Sequence, residues 1–177
     1  MRRIAIFLLV LIVLPLIASA TGTFYMTKDV ALKHYFPDET IERKSEYLSK
    51  EQKLAVKHAA RAPWDHGVVT YYVAKSGNTI VGYAFLESVT VRTKTATYMV
   101  VVNPSGTIRG IEILAFYEPE DYKPSRRWLG QFNEKNIESD LTLKSGIKNI
   151  VGSTLSAQAL SEGARKYLAF CKVILGK

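Results

Sequence analysis

Cysteine is nearly absent from this sequence: Cys171 is the only one in 177 residues, beside three histidines. A lone thiol excludes an internal disulfide, so the core must hold the domain together unaided. Cys171 falls in an apolar helical pattern and reads as a small buried hydrophobe. His34, His58 and His66 have no metal-ligand spacing with one another or with Cys171, so no metal site is expected. Internal repeats and low-complexity tracts are missing, and so are a nucleophile–base pair and a hydrolytic triad.

Long apolar runs are scarce too. The exception extends from Ile4 to Leu14, after Arg2 and Arg3 and before Pro15 and Ala18-Ser19-Ala20. A basic start, a short apolar core and an A-x-A ending make a secretory signal peptide, with cleavage expected before Thr21. The other reading is an uncleaved membrane anchor over residues 4–20. The run is shorter than the ~20 residues a spanning helix prefers, and Pro15 interrupts it, which favours cleavage. Under either reading the domain is exported, to the periplasm or the outer face of the cytoplasmic membrane.

What is abundant is positive charge, +8 net with part of it in Arg2 and Arg3. The rest suits an anionic membrane surface or an acidic redox partner, or simply a solvated basic face. Nucleic acid is not an expected partner, because the basic residues are scattered and no reader motif is present.

The spacing predicts a short helix from Thr27 to about Tyr35, ended by Pro37, and then a polar turn at Asp38-Glu39-Thr40. Ser49-Lys50-Glu51-Gln52 is a capping box, and a second helix continues through Leu54, Val56 and Ala60 until Pro63. These two helices are expected to form one layer over a sheet. From Val68 the period changes. Val68–Val73, Thr79–Val91, Ala96–Asn103 and Thr107–Tyr117 are rich in β-branched and aromatic residues, with turns at Ser76-Gly77-Asn78 and Pro104-Ser105-Gly106. Gly82 marks a bulge or a close approach. Short connections make these runs an antiparallel meander, and Ser125 caps a short helix reaching Phe132. The fold class is α+β, an antiparallel sheet of about four to six strands flanked by helices. Residues 1–20 are the leader, 21–66 a helical N-terminal region, and 67–177 the α+β domain.

The most informative stretch is Ile150-Val151-Gly152-Ser153-Thr154-Leu155-Ser156: an apolar segment, a glycine turn and a helix start. Leu160, Ala164, Tyr167, Leu168 and Cys171 then recur at three- and four-residue intervals. Gly152 permits a left-handed backbone, and Ser153 and Thr154 are both acceptable N-caps. Hydroxyls there face orphan N–H groups and a positive dipole end, which can favour a phosphate, although spacing alone points first to a glycine turn followed by a cap.

Gly152-Ser153-Thr154-Leu155-Ser156 resembles the Ser-Gly-Ala-Thr-x-x-Ser signature of FMN-binding domains of the kind found in NqrC and RnfG subunits. In that family a flavin transferase joins FMN through its phosphate to the signature threonine, which here corresponds to Thr154. Ser153 stands for the alanine, and Lys148 for the aspartate often found six residues before the threonine. A second likeness is the order Gly110-Ile111-Glu112-Ile113-Leu114, Glu118-Pro119 and Trp128-Leu129-Gly130-Gln131-Phe132. In the family such a strand leads to a Glu-containing loop and a Gln-Phe helix that wall the flavin. The likeness covers roughly Val68 to Lys172.

The resemblance implies covalent FMN on Thr154, with Gly152, Ser153, Leu155 and Ser156 around its phosphate. Tyr117, Tyr122, Trp128 and Phe132 become candidate walls for the ring, and Glu118 and Gln131 candidates for edge contacts or for bracing the loop. The implied role is an electron-transfer flavoprotein or redox-complex subunit rather than a stand-alone enzyme. Its partners would be a flavin transferase and quinone-linked, haem or iron–sulfur proteins of the membrane. The alternatives are a noncovalent flavin- or ligand-binding sensor or assembly module of the same fold, and a structural protein whose turn only caps a helix.

Overall fold

A computed structural model describes residues 22–177. The expected leader, its cleavage point and the possible anchor lie outside the described residues. Among those residues no helix is long and apolar enough to cross a membrane.

The first part of the chain contains β1 (Thr23–Phe24), α1 (Lys28–Tyr35), β2 (Thr40–Tyr47) and α2 (Lys50–Ala60). The hydroxyl of Thr27 caps α1 by accepting from the Val30 N–H at 3.2 Å. In the capping box of α2, Ser49 Oγ accepts from the Gln52 N–H at 3.2 Å and Gln52 Oε1 accepts from the Ser49 N–H at 2.9 Å. These exchanges satisfy donors that every helix start leaves orphaned. Next come β3 (Val68–Ser76), β4 (Thr79–Thr90), β5 (Thr95–Val102) and β6 (Ile108–Phe116). Last are α3 (Arg126–Leu129), continued by a 3-10 turn at Gly130–Phe132, and the long α4 (Thr154–Ile174).

The strands form one sheet in the order β1-β6-β5-β4-β3-β2, antiparallel throughout. The chain is thus an α+β fold, a six-stranded antiparallel meander flanked by helices. Alternation in β5 separates two cores. Tyr98, Val100 and Val102 point to a large core beneath α2, α3 and α4, whereas Met99 and Val101 point to a smaller one beneath α1.

Two features of the N-terminal region differ from expectation. The chain bends at residues 37–39 as expected, but Thr40 already begins a strand that was not expected, Thr40–Tyr47, paired with β3 from Thr40–Lys75 to Tyr47–Val68. Its Glu42, Arg43, Lys44 and Glu46 hide the strand signal, yet charged residues are what an outer edge strand uses against edge-to-edge association. Because β2 runs between them, α1 and α2 do not share a layer. Ala31 and Leu32 of α1 belong to the smaller core, Val56 and Ala60 of α2 to the larger.

Gly82 combines the two roles expected for it. The register slips by one residue beside it, with Ala74 opposite Gly82 and Lys75 opposite Ile80. A Cβ there would also stand 2.7 Å from the Phe36 ring.

Helix α4 is the central support of the larger core. It buries Ala157, Leu160, Ala164, Tyr167, Leu168, Phe170 and Cys171, so the predicted apolar stripe is its inner face. Cys171 is fully buried, and burial pushes its thiol up to about 12, which leaves it unreactive. Gly163 packs directly on Tyr98, where a Cβ would lie 2.0 Å from the tyrosine oxygen and 2.8 Å from Cζ. Tyr98 cannot retreat, because it is 1% exposed and its hydroxyl donates to the Ala159 carbonyl at 3.2 Å. Replacing Gly163 by Ala sets a helix-propensity gain of ~1 kcal/mol against an overpacking cost of ~1–3 kcal/mol, and the clash should win. Urea melts of Gly163→Ala should therefore show a lower midpoint than the parent; a midpoint at or above it would contradict this packing.

Candidate functional site

The start of α4 is fixed from behind by three contacts. Trp128 Nε1 donates to the Lys148 carbonyl at 2.6 Å, and the Lys148 N–H donates to Gln131 Oε1 at 2.8 Å. Five residues on, Ser153 Oγ donates to the Asp121 carbonyl at 3.1 Å. Between them the chain turns at Gly152, whose φ of +82° is the left-handed region that glycine enters without strain. A Cβ at Gly152 would meet nothing within 4 Å, so conformation rather than space calls for glycine. Val151, 99% exposed, ends the apolar segment in solvent.

Ser153 is the N-cap residue, but its hydroxyl makes no capping bond because it is engaged with Asp121. The first helical bond is the Ala157 N–H to the Ser153 carbonyl at 3.0 Å. The N–H groups of Thr154, Leu155 and Ser156 therefore stay unpaired within the described residues, at the positive end of a 21-residue helix with no acidic residue in its first turn. Thr154 is exposed, and its Oγ1 accepts from Asn149 Nδ2 at 3.1 Å. Ser156 is the opposite: 2% exposed, with a hydroxyl that has no hydrogen-bond partner.

These residues line one side of an open cleft of about 270 Å³. Across it stand Val91, Arg92, Glu118 and Tyr122. Glu118, 5% exposed, organises that wall. Its Oε1 accepts from the N–H groups of Arg92 (3.1 Å), Thr93 (2.5 Å) and Lys94 (2.7 Å), clamping the β4–β5 turn. The Thr93 amide is the strongest of the donors that hold this carboxyl below the usual glutamate range, against the opposing effect of desolvation. The clamp presents Arg92 to the cleft, and its exposed guanidinium carries a positive charge toward whatever binds there.

Of the residues expected at the site, Gly152, Ser153, Thr154, Leu155, Ser156 and Glu118 come together on this cleft, and Tyr122 supplies one aromatic wall. The others do not line it. Phe132 is fully buried in the larger core, edge-on to Trp128 at 5.3 Å. Tyr117 is 41% exposed and packs against Gly22. Gln131 and Trp128 act one step back, through the backbone of Lys148. Of the two roles open to Glu118 and Gln131, both residues perform the bracing one. Val91 and Arg92 were not expected. The sequence signal for them was the basic Arg92-Thr93-Lys94 turn between two strands.

Comparison of the chain with protein-family models finds no match, and comparison with curated proteins finds none either.

The Glu118 clamp has a defined pH dependence. A carboxyl whose folded pKa is lowered contributes stability above its unfolded value of ~4.3, and loses it as pH falls through the lower folded value. Protection factors of the Arg92, Thr93 and Lys94 amides, measured by hydrogen exchange, should fall as pH drops below ~4. Glu118→Gln should lower the same factors about tenfold at neutral pH and remove their acid dependence. Protection unchanged in Glu118→Gln would mean that the turn holds itself.

Proposed function

We propose that this protein is an exported flavoprotein, carrying FMN as a phosphoester on Thr154 and acting as an electron-transfer carrier or redox-complex subunit. The observation that carries the reading is the pairing of an exposed threonine hydroxyl with a buried, partnerless serine hydroxyl on one cleft at the first turn of a long helix. A buried hydroxyl left unpaired costs about 1–3 kcal/mol, so a ligand oxygen within its reach is strongly favoured.

The residues present suit a phosphodiester. The N–H groups of Thr154, Leu155 and Ser156 offer donors at a dipole end, Ser156 adds its hydroxyl, and Arg92 adds a full positive charge from the facing turn. Asn149 donates to Thr154 Oγ1, which orients that oxygen. Gly152 carries the chain past the site with no side chain in the way. Tyr122 and Val91 give the cleft an apolar flank. FMN would supply one- and two-electron chemistry, while the protein supplies attachment, charge and exposure.

Covalent attachment suits an exported domain. A ~1 μM noncovalent site holds its ligand by only about 8 kcal/mol, and a cofactor that leaves is diluted into an open compartment. The cleft, near 270 Å³, falls just under the ~300–1,000 Å³ of pockets that enclose drug-sized ligands. Incomplete enclosure is what an electron carrier requires, since its partner must approach the redox group. Quinone-linked, haem or iron–sulfur proteins of the membrane are the proposed partners.

The test is co-expression with a flavin transferase and export, followed by denaturing electrophoresis under ultraviolet light. The expected result is a fluorescent band heavier than the apoprotein by one esterified FMN, abolished in Thr154→Val. Yellow protein that loses its colour on denaturation would instead support a noncovalent module, which the replacement of the family's aspartate by Lys148 also permits. Colourless protein beside an active transferase would leave the turn as a helix cap.

A further inference from the structure

A larger cleft, about 550 Å³, lies elsewhere, between α2, α4 and the segment 137–142. Its residues on α4, Arg165 and Lys172, stand 11 and 18 positions beyond Thr154, or ~16 and ~27 Å along the helix at 1.5 Å per residue. The two clefts are therefore separate.

One wall of this cleft is firmly built. Asn136 Oδ1 accepts from the Glu138 and Ser139 N–H groups, both at 3.1 Å, and Asp140 Oδ1 accepts from the Thr142 N–H at 2.9 Å. Ser161 on α4 donates to the Leu141 carbonyl and ties the segment to the helix. The charges on the cleft are Arg61, Arg165 and Lys172 against Glu138 and Asp140, with His58 at the rim. Lys172 is paired to Glu138. Asp140 is exposed on the cleft, with its two carboxylate oxygens engaged locally by the Thr142 N–H and the Ser145 hydroxyl.

Among the described residues the two arginines make no salt bridge within 4 Å, although Arg61 is near enough to Glu138 to help Lys172 hold that carboxyl below its usual range. Arg165 is half-buried, and its one hydrogen bond runs from Nε to the Ala60 carbonyl at 3.1 Å. The C-terminal dipole of α2 there amounts to about half a charge, so it offsets the guanidinium only in part, and the Nη donors have no hydrogen-bond partner among the described residues. Arg61, in the left-handed C-cap of α2 with φ +48°, adds an exposed second guanidinium on the same cleft. Fork-shaped donors of this kind match carboxylate and phosphate oxygens.

We infer that the cleft bounded by Arg61, Arg165 and Lys172 binds a small molecule bearing phosphate or carboxylate groups, at a site distinct from the one at Thr154. The inference does not depend on the flavin reading, because no residue is shared between the two clefts.

The probes are inorganic phosphate and citrate, titrated into the folded chain from which the leader has been removed and followed by two-dimensional NMR. Saturable shifts are expected at the Arg165 Nε–H and at the amides of residues 137–142, weakening as salt is raised. Arg165→Gln should weaken binding about tenfold, the equivalent of one charge-assisted hydrogen bond. Glu138→Gln removes a competing carboxylate and frees Lys172, so it should tighten binding about two- to fivefold. A gain of this kind is not expected of a purely structural ion pair, and it decides the matter even if Arg165→Gln fails to fold. Absence of saturable shifts, shifts confined to residues 152–156, or unchanged or weaker binding in Glu138→Gln would each overturn the inference. The second of these outcomes would leave the Thr154 site untouched.

Discussion

Everything at the Thr154 cleft depends on where α4 starts, and that point is fixed by hydrogen bonds to backbone rather than by the turn itself. Trp128 and Gln131 hold the carbonyl and the N–H of Lys148, and Ser153 reaches back to Asp121. These contacts make the helix begin at Thr154 although its N-cap hydroxyl is engaged elsewhere. An N-cap serine bonded into its own first turn would have satisfied one of the amides. Diverting that hydroxyl to Asp121 leaves the first-turn amides open to another acceptor, which is the basis of the anion site proposed there.

The facing wall is set just as firmly. Glu118 gathers three consecutive amides of the β4–β5 turn, and the carboxylate of Glu87 ties the same strand to α4 deeper in the core. Glu87 is 8% exposed, accepts from the Tyr167 hydroxyl, and has His66 at 3.7 Å and Lys166 at 3.9 Å. Burial acts to raise its pKa, but His66 and Tyr167 outweigh burial and bring it below the ordinary glutamate range. The carboxylate thus stays charged and paired. β4 and α4 are joined at Glu87 and Tyr167, and both elements continue to the cleft. A cofactor held there would meet a preorganised pair of walls.

The sequence was most legible where one residue type has one physical reading. The capping box at Ser49 and Gln52, the apolar stripe of α4 and the four strands of the meander follow from period and side-chain type alone. Edge strands were illegible for a physical reason: β1 is two residues long, and β2 carries charges that serve its exposed edge. Half of the candidate site was legible because it is local. Gly152 to Ser156 are consecutive, and their helix start can be read from the spacing. Glu118 was expected only from the family likeness, and Val91 and Arg92 not at all, because they meet the helix start through the register of β4, β5 and β6, which no window of sequence contains. The aromatics misled for a related reason. Trp128 and Phe132 are large enough to wall a flavin, but a core over this sheet needs the same rings, and burial claimed them.

Helix α4 finally gives the two clefts opposite surroundings. Its N-terminal end offers unpaired amides, a hydroxyl that can be esterified and an apolar flank. Further along, Arg165 and Lys172 project into a cleft walled by polar and charged groups, with Arg165 at the C-terminus of α2. An anion is favoured at both places for different reasons, by a helix dipole at the first and by side-chain charge at the second. The dipole acts only within the first turn, so a ligand there must come close to the backbone, which suits a tethered phosphodiester. Guanidinium groups on long side chains can accommodate oxyanions of several shapes, which suits a ligand that comes and goes. Under the functions proposed for the two clefts, one long helix would carry a fixed group at its start and an exchangeable one about three to five turns away.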